Sequence, residues 1–341
     1  MKGLPLTLLA CVLLAGAAAA QNSSSPTQQK EAAQASSPEL DESMKLSAEV
    51  VRLHNAGKYT EALPLAKRAL QLREKALAPG HPLIVDALSN LAELYAARQD
   101  YGTARDYYQR VLAIYEQSPP QNRAAVGHVL DNAGYFSYLN LDFDKAEKYF
   151  QRALALREEL TGAGSLETAR AVFNLAEFYR LRGEYSKAEP LYQRSIEVKG
   201  NAVGVESKEV VKALERYSCV YYARGELKKW DEVEKQFSFL RPKNPDARPE
   251  ILNGRALSLP KPAYPNAAKE RGLSGMVVIK VWIDEQGKVV SAEDMCGAHP
   301  LLVGPSVRAA SGARFTPTLL SGKPVRVTGA ITYRFVARPG P

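Results

Sequence analysis

Apolar side chains through roughly the first two-thirds of the chain recur at i, i+3 and i+4, the spacing of a helix that buries one face. "ALSNLAELYAARQDY" (Ala87 to Tyr101) carries this pattern into a short polar turn, and "TARDYYQRVLAIYE" (Thr103 to Glu116) carries it again. The period then changes. In "GMVVIKVWID", Val277, Ile279, Val281 and Ile283 alternate with Met276, Val278, Lys280 and Trp282, which predicts a strand with one face on a core. "DEQGK" (Asp284 to Lys288) reads as a hairpin turn with glycine at its tight point, and "VVSAEDM" begins the returning strand. A short helix is expected over His299 to Ala313, a second turn at "SGKPV" (Ser321 to Val325), and a closing strand "RVTGAITYRFV" with Ile331, Tyr333 and Phe335 on one face. The expected fold class is an α-solenoid followed by a separate, small α+β module.

The helical part repeats. Tyr59, Tyr101, Phe143 and Tyr185 step by 42 residues, and each is followed three positions later by alanine: Ala62, Ala104, Ala146 and Ala188. Arg68, Arg110, Arg152 and Arg194 keep the same step, as do Leu70, Leu112, Leu154 and Ile196. Upstream, Asn90, Asn132 and Asn174 align, beside a small column of Ala92, Gly134 and Ala176. A fixed period with matched small and large positions is the mark of stacked units, each unable to bury its apolar face alone. Gly183 and Gly225 fall where a residue tolerating positive φ ends the first helix of a pair. The run Asn174-Leu175-Ala176, Tyr179, Gly183, Tyr185, Ala188, Tyr192, Arg194, Ser195 and Ile196 resembles the tetratricopeptide repeat, in the 42-residue variety of kinesin light chains. The resemblance covers residues 44 to 240, about five helix pairs. In the last pair Leu227 replaces the aromatic and Trp230 the alanine, as suits a terminal cap.

The C-terminal module also has a relative. "RALSLPKPAYPNAA", the alternating strand, "DEQGK", Gly297-Ala298-His299-Pro300, Ala309-Ala310, Phe315-Thr316-Pro317, Gly322-Lys323-Pro324-Val325 and a final Tyr333-Arg334-Phe335 resemble, in order and spacing, the C-terminal domain of the TonB family. Pro260, Pro262 and Pro265 cannot donate ladder bonds, so their segment is expected to lie along the domain and turn into a short helix ending at Gly272. The resemblance implies a sheet edge that takes up an extended peptide from an outer-membrane transporter, through main-chain hydrogen bonds. It nominates Arg326, Thr328, Thr332 and Arg334 of the closing strand, and Ser258, Lys261 and Tyr264 of the proline segment, as partner contacts. Lys261 stands where members of the family carry glutamine. Tyr264, Phe315 and Phe335 are read first as core residues.

The resemblance of the repeats implies a concave groove lined by the first helix of each pair. A ladder of Asn90, Asn132 and Asn174 can hold a peptide backbone, since each amide both donates and accepts; local capping within each repeat explains the same residues equally well. Arg98, Arg182 and Arg224 add positive charge near the groove's end, a column broken by Asn140.

Composition places these modules outside the cytoplasm. "MKGLPLTLLACVLLAGAAAA" has the layout of a secretory signal peptide. A lipoprotein box at Leu8 to Cys11 and an uncleaved anchor over Gly3 to Ala20 are the rival readings, and membrane association enters only through such a retained segment. All three export the rest, which removes nucleic acid from the partner classes. The net charge of +8 is concentrated late: Arg255 to Arg338 holds 12 Lys/Arg against 5 Asp/Glu, or +7. Of three cysteines, Cys219 and Cys296 survive cleavage; exported, they can pair, though two lone cysteines are not a framework and each also reads as a small buried apolar residue. No phosphate loop, HExxH, CxxC or G-x-S-x-G occurs, and His54, His81, His128 and His299 lack metal-like spacing. His81 and His299 each precede a proline and read as turn residues.

The expected organisation is a signal peptide at 1–20, a linker at 21–42, a tetratricopeptide array at 43–240, a Pro-rich linker at 241–253 and a TonB C-terminal-like domain at 254–338. The expected function is that of a non-catalytic, cofactor-free envelope adaptor with two protein partners. An energy-transducing TonB-type protein anchored in the inner membrane is the alternative. Against it, the apolar segment has no ionisable group for proton coupling, and the repeats stand where a proline-rich rod would be.

Overall fold

A computed structural model of the chain describes residues 37–117, 123–237 and 255–337. The signal-peptide segment, linker residues 21–36 and the Pro-rich linker lie outside the described residues. Ten helices form five antiparallel pairs: α1 (Pro38–Asn55) with α2 (Tyr59–Ala76), α3 (Pro82–Ala97) with α4 (Tyr101–Gln117), α5 (Ala124–Leu139) with α6 (Phe143–Thr161), α7 (Leu166–Leu181) with α8 (Tyr185–Val203), and α9 (Lys208–Arg224) with α10 (Leu227–Phe237).

The repeat columns explain the boundaries. Every second helix begins on the repeat aromatic or its replacement Leu227. Two residues before it, Gly57, Gln99, Leu141, Gly183 and Gly225 all hold positive φ, from 63° to 77°. Ser37, Ser165 and Ser207 cap first helices through their hydroxyls, and His81 caps α3 by accepting from Leu83 N through Nδ1. The Ser37 cap, Pro38 in the first turn and the acidic Glu39 and Asp41 start α1 five residues before the expected linker ends. The boundary at 42 is therefore corrected to 37.

Packing follows the small columns. Ala62, Ala104, Ala146 and Ala188 have no exposed surface. A Cβ on Gly134 would meet the Phe150 ring at 3.1 Å, so the α5–α6 pair approaches closely because this position is small. The arginine column ties successive second helices together on the outside: Arg110 pairs with Glu74, Arg152 with Glu116 and Arg194 with Glu158, each 36 residues back. These exposed pairs add at most about 1 kcal/mol each. Inside, Arg73, Arg157 and Lys199, which share one repeat column, each meet the residue 26 positions earlier. Arg73 bonds Ser47 at 2.8 Å, Arg157 bonds Asp131 at 2.6 Å, and Lys199 sits 4.2 Å over the Phe173 ring. Each buried cation has its partner built into the same repeat pair, as burial requires.

The module follows with β1 (Ala256–Ser258), α11 (Asn266–Glu270), β2 (Gly275–Ile283), β3 (Val289–Asp294), α12 (Pro300–Ser311), β4 (Arg314–Phe315), β5 (Leu319–Leu320), β6 (Lys323–Pro324) and β7 (Val327–Phe335). The main sheet is antiparallel in the order β3-β2-β7. Val277, Ile279, Val281 and Ile283 face the core with Ile331, Tyr333 and Phe335, covered by Leu302, Ala309 and Ala310 of α12. His299 caps α12 as His81 caps α3, through Nδ1 to Leu301 N. At the β2–β3 turn Gly287 has φ 79°, and a Cβ there would lie within the Phe315 backbone, so only glycine fits.

Candidate partner-binding surfaces

The border of the main sheet is the first surface. β7 pairs with β2 along its whole length, from Gly275↔Phe335 to Ile283↔Val327, and no other strand among the described residues pairs with it. Alternation sends Thr328, Thr332 and Arg334 to the face away from α12, opposite Trp282, Val278 and Met276. Thr332 and Arg334 are exposed, and Arg326, just before the strand, pairs with Glu285 at 3.0 Å. The structure therefore brings four of the nominated residues to one border. The other three lie elsewhere. Ser258 pairs with Arg314 of β4, Pro260 packs against Gly312 at the end of α12, and Lys261 is exposed beside it. Tyr264 donates its hydroxyl to the Leu273 carbonyl at 2.7 Å and sets its ring against Phe335, 5.2 Å between centroids. Both of these contacts are internal to the module, as its reading as a core residue expects.

The array groove is the second surface. Asn90, Asn132 and Asn174 are all half-buried on first helices. Asn132 donates to the Tyr108 hydroxyl at 3.1 Å, while among the described residues none hydrogen-bonds to the Asn90 or Asn174 side chain. The expected positive column is largely neutralised. Arg182 stacks 4.1 Å over Phe143 and pairs with Glu184, and Arg224 pairs with Glu189 at 2.9 Å; only Arg98 is exposed and unpaired among the described residues.

The groove's last stretch is occupied by the module itself. Cys219 of α9 and Cys296, just ahead of α12, form a disulfide with 5.8 Å between Cα atoms. Val278, Met276, Met295 and Tyr222 pack around it. Arg180 donates to the Gly297 carbonyl at 3.3 Å, and Arg271 to the Asn140 carbonyl at 2.7 Å. The His299 ring meets Tyr138 edge-on at 5.0 Å, and Leu141 and Phe143 pack on the module's core. Burial lowers the pKa of His299 to about 4 despite the nearby backbone of Leu139 and Tyr138, so the imidazole is neutral at neutral pH. Asp294, accepting from Ala298 N, has its pKa raised by burial.

Beside this seam stands a charged cluster. Glu177 accepts from the Tyr192 hydroxyl and pairs with Arg180 at 2.9 Å and Arg216 at 3.8 Å. Burial, the largest single influence, would raise the Glu177 carboxyl, but Arg180, Arg216 and the Tyr192 hydroxyl together more than offset it and the pKa is lowered. Arg216 and Cys219 were not among the residues nominated from sequence. Both continue groove columns by one 42-residue step, Arg216 after Asn174 and Cys219 after Glu177, and a cysteine in a column otherwise held by Glu93, Tyr135 and Glu177 was the available signal. Among the described residues, no group of His, Cys, Asp and Glu side chains could hold a metal ion, and no helix is long and apolar enough to cross a membrane.

Comparison with known proteins agrees with this architecture. The tetratricopeptide-repeat family matches residues 51–117 and 126–201, and the Gram-negative bacterial TonB protein C-terminal family matches residues 260–337. The chain is a tetratricopeptide-repeat array joined to a TonB C-terminal domain. Solved structures similar to it include the nearly identical TPR-like repeats of a Podosopora anserina kinesin light chain, at 17% identity and TM-score 0.51, covering 58% of this chain and 93% of that one. BtubC (BKLC) from P. vanneervenii, at 18% identity and TM-score 0.51, covers 70% of this chain and all of that one. RapI in its apo form, at 13% identity and TM-score 0.51, covers 58% of this chain and 70% of that one. At these identities the likeness is one of fold. No curated protein matches the chain. The repeats mark protein–protein interaction and the C-terminal domain marks TonB-like, envelope-associated function; both are non-catalytic interaction domains.

Proposed function

We propose that the protein is an exported, non-catalytic adaptor of a Gram-negative cell envelope. β7 takes up an extended segment of an outer-membrane transporter, or of another envelope protein, as an added strand, and the open part of the array groove holds a second protein. The observation that carries this reading is the outer border of β7, which no strand among the described residues pairs, where Thr332 and Arg334 are exposed and β2 satisfies only the inner side. Strand addition supplies main-chain bonds while leaving side-chain sequence free to vary. The Cys219–Cys296 disulfide supports export, since such bonds persist in oxidising compartments.

A photo-crosslinking residue placed at Thr328 or Thr332, and at Val290 on the opposite border as control, tests the assignment in a Gram-negative host. The expected result is adducts with one envelope protein from the two β7 positions, advancing along the partner sequence with the β7 position. Equal labelling from Val290, or none from β7, would remove the strand-addition role.

A further inference from the structure

The repeat period lets one part of the groove be compared with another in the same molecule. Stepping back two repeats, 84 residues, from Glu177, Tyr192, Arg180 and Arg216 leads to Glu93, Tyr108, Ala96 and Asn132. The carboxylate and the tyrosine are kept, and both cations are gone. At the later site, Arg180 places Nε 2.9 Å and Nη2 3.0 Å from the two Glu177 oxygens and donates Nε to Tyr192 at 3.1 Å, with Arg216 beyond. At the earlier site a methyl group stands in place of Arg180, and Asn132 in place of Arg216 donates to the Tyr108 hydroxyl at 3.1 Å. Among the described residues no hydrogen bond or ion pair reaches the Glu93 carboxylate. Burial by itself pushes its pKa up to about 7, with no nearby cation acting against it. Tyr108, wholly buried, feels the Glu93 charge.

We infer that the Glu93 site receives an arginine side chain from a partner, whose guanidinium occupies the space that Arg180 fills two repeats on. A guanidinium matches the geometry because it offers parallel donors to both carboxylate oxygens, which a lysine ammonium does not. Tyr135, which sits one repeat beyond Glu93 in the same column and is 43% exposed, supplies an aromatic wall for the arginine stem. Asn90 and Asn132 flank the site on the same groove face and are placed to hold the backbone of an extended segment. The module closes the groove at Arg180 and Arg216, so such a segment is confined to the first three pairs. The inference rests on the reading that the groove binds a protein and names the side chain it selects.

The test uses the full chain and immobilised random hexapeptides carrying arginine, lysine or citrulline at one fixed position. The wild type is expected to retain the arginine set at least tenfold better than the citrulline set. Glu93→Gln should lower that preference at least fivefold. Ala96→Arg, which would rebuild the later site internally, should abolish it and shift the Glu93 carboxyl, followed by carbon NMR, to a lower titration midpoint. Peptides that bind the groove with no arginine preference and no response to Glu93→Gln would overturn the inference while leaving the groove reading in place. An unchanged Glu93 titration in folded Ala96→Arg would overturn it as well, by breaking the equivalence of the two sites. Absence of any peptide binding sensitive to Asn90→Ala and Asn132→Ala would remove both.

Discussion

Replacing both bridged cysteines, Cys219→Ser with Cys296→Ser, measures how firmly the module is held to the array. The bond joins positions 77 residues apart. Closing a loop of that length in the unfolded chain corresponds to about 4.5 kcal/mol of lost chain entropy. That figure is a ceiling, because the array and module form separate apolar cores and the remaining seam contacts persist without the bond. A loss of about 2–4 kcal/mol is expected, or about 6–12 °C in the unfolding midpoint for an array of this size. Calorimetry of the oxidised wild type, the wild type in dithiothreitol and the double variant would show it. The oxidised protein should unfold with array and module coupled; the other two should coincide with each other and separate into two transitions. Alkylation gives an independent check, since neither cysteine should react before reduction. Prompt alkylation of both residues in exported protein, or identical transitions with and without reductant, would refute the assignment of the bond as the tie between modules.

Two further outcomes follow from the turns and the seam. Gln99→Gly should stabilise the array by about 0.5–1 kcal/mol in chemical denaturation, because Gln99 holds φ 65° at a position where three of the five repeats carry glycine; Leu141→Gly at the same column should instead destabilise, since Leu141 packs on the module core, and equal signs for the two would contradict the account. His299, with its pKa lowered from 6.5 to about 4 by burial, binds a proton more weakly folded than unfolded, so its contribution to stability is complete above pH 6.5 and is lost as pH falls toward 4, by at most about 3 kcal/mol. His299→Asn keeps a helix cap without the titration; because Glu93 and Asp294, both raised by burial, act in the opposite direction, the readout is the difference between wild type and variant, and a flat difference from pH 7 to 4.5 would reject the claim.

The architecture was legible where local chemistry repeats or alternates. The 42-residue step places Tyr59, Tyr101, Phe143 and Tyr185 at helix starts because each stack must bury the same face in the same way. The alternation of Val277, Ile279, Val281 and Ile283 is a direct record of which side of β2 meets α12. What escaped was long-range. Nothing local to Cys219 or Cys296 says that the module folds back onto α9, so their pairing stayed open. The arginines at the groove's end looked like free charge because their partners, Phe143, Glu184 and Glu189, come from neighbouring turns and helices. Ser258 and Tyr264 were nominated with β7 as partner contacts by resemblance, whereas the structure pairs the exposed Ser258 with Arg314 of β4 and bonds the Tyr264 hydroxyl to the Leu273 carbonyl, away from the β7 border. The start of α1 was missed because a serine-rich segment low in large apolar residues hides a proper cap at Ser37.

The covalent tie between α9 and the module also determines how mechanical load travels. A strand drawn along β7 would pull on β2 through nine paired positions, and Val278 of β2 packs directly on the Cys219–Cys296 bond. Tension on the border therefore reaches the stack of helices through sulfur and a packed seam, bypassing residues 238–254. A tug at the sheet is delivered to the array as to a single lever, with the joint set in its fifth helix pair.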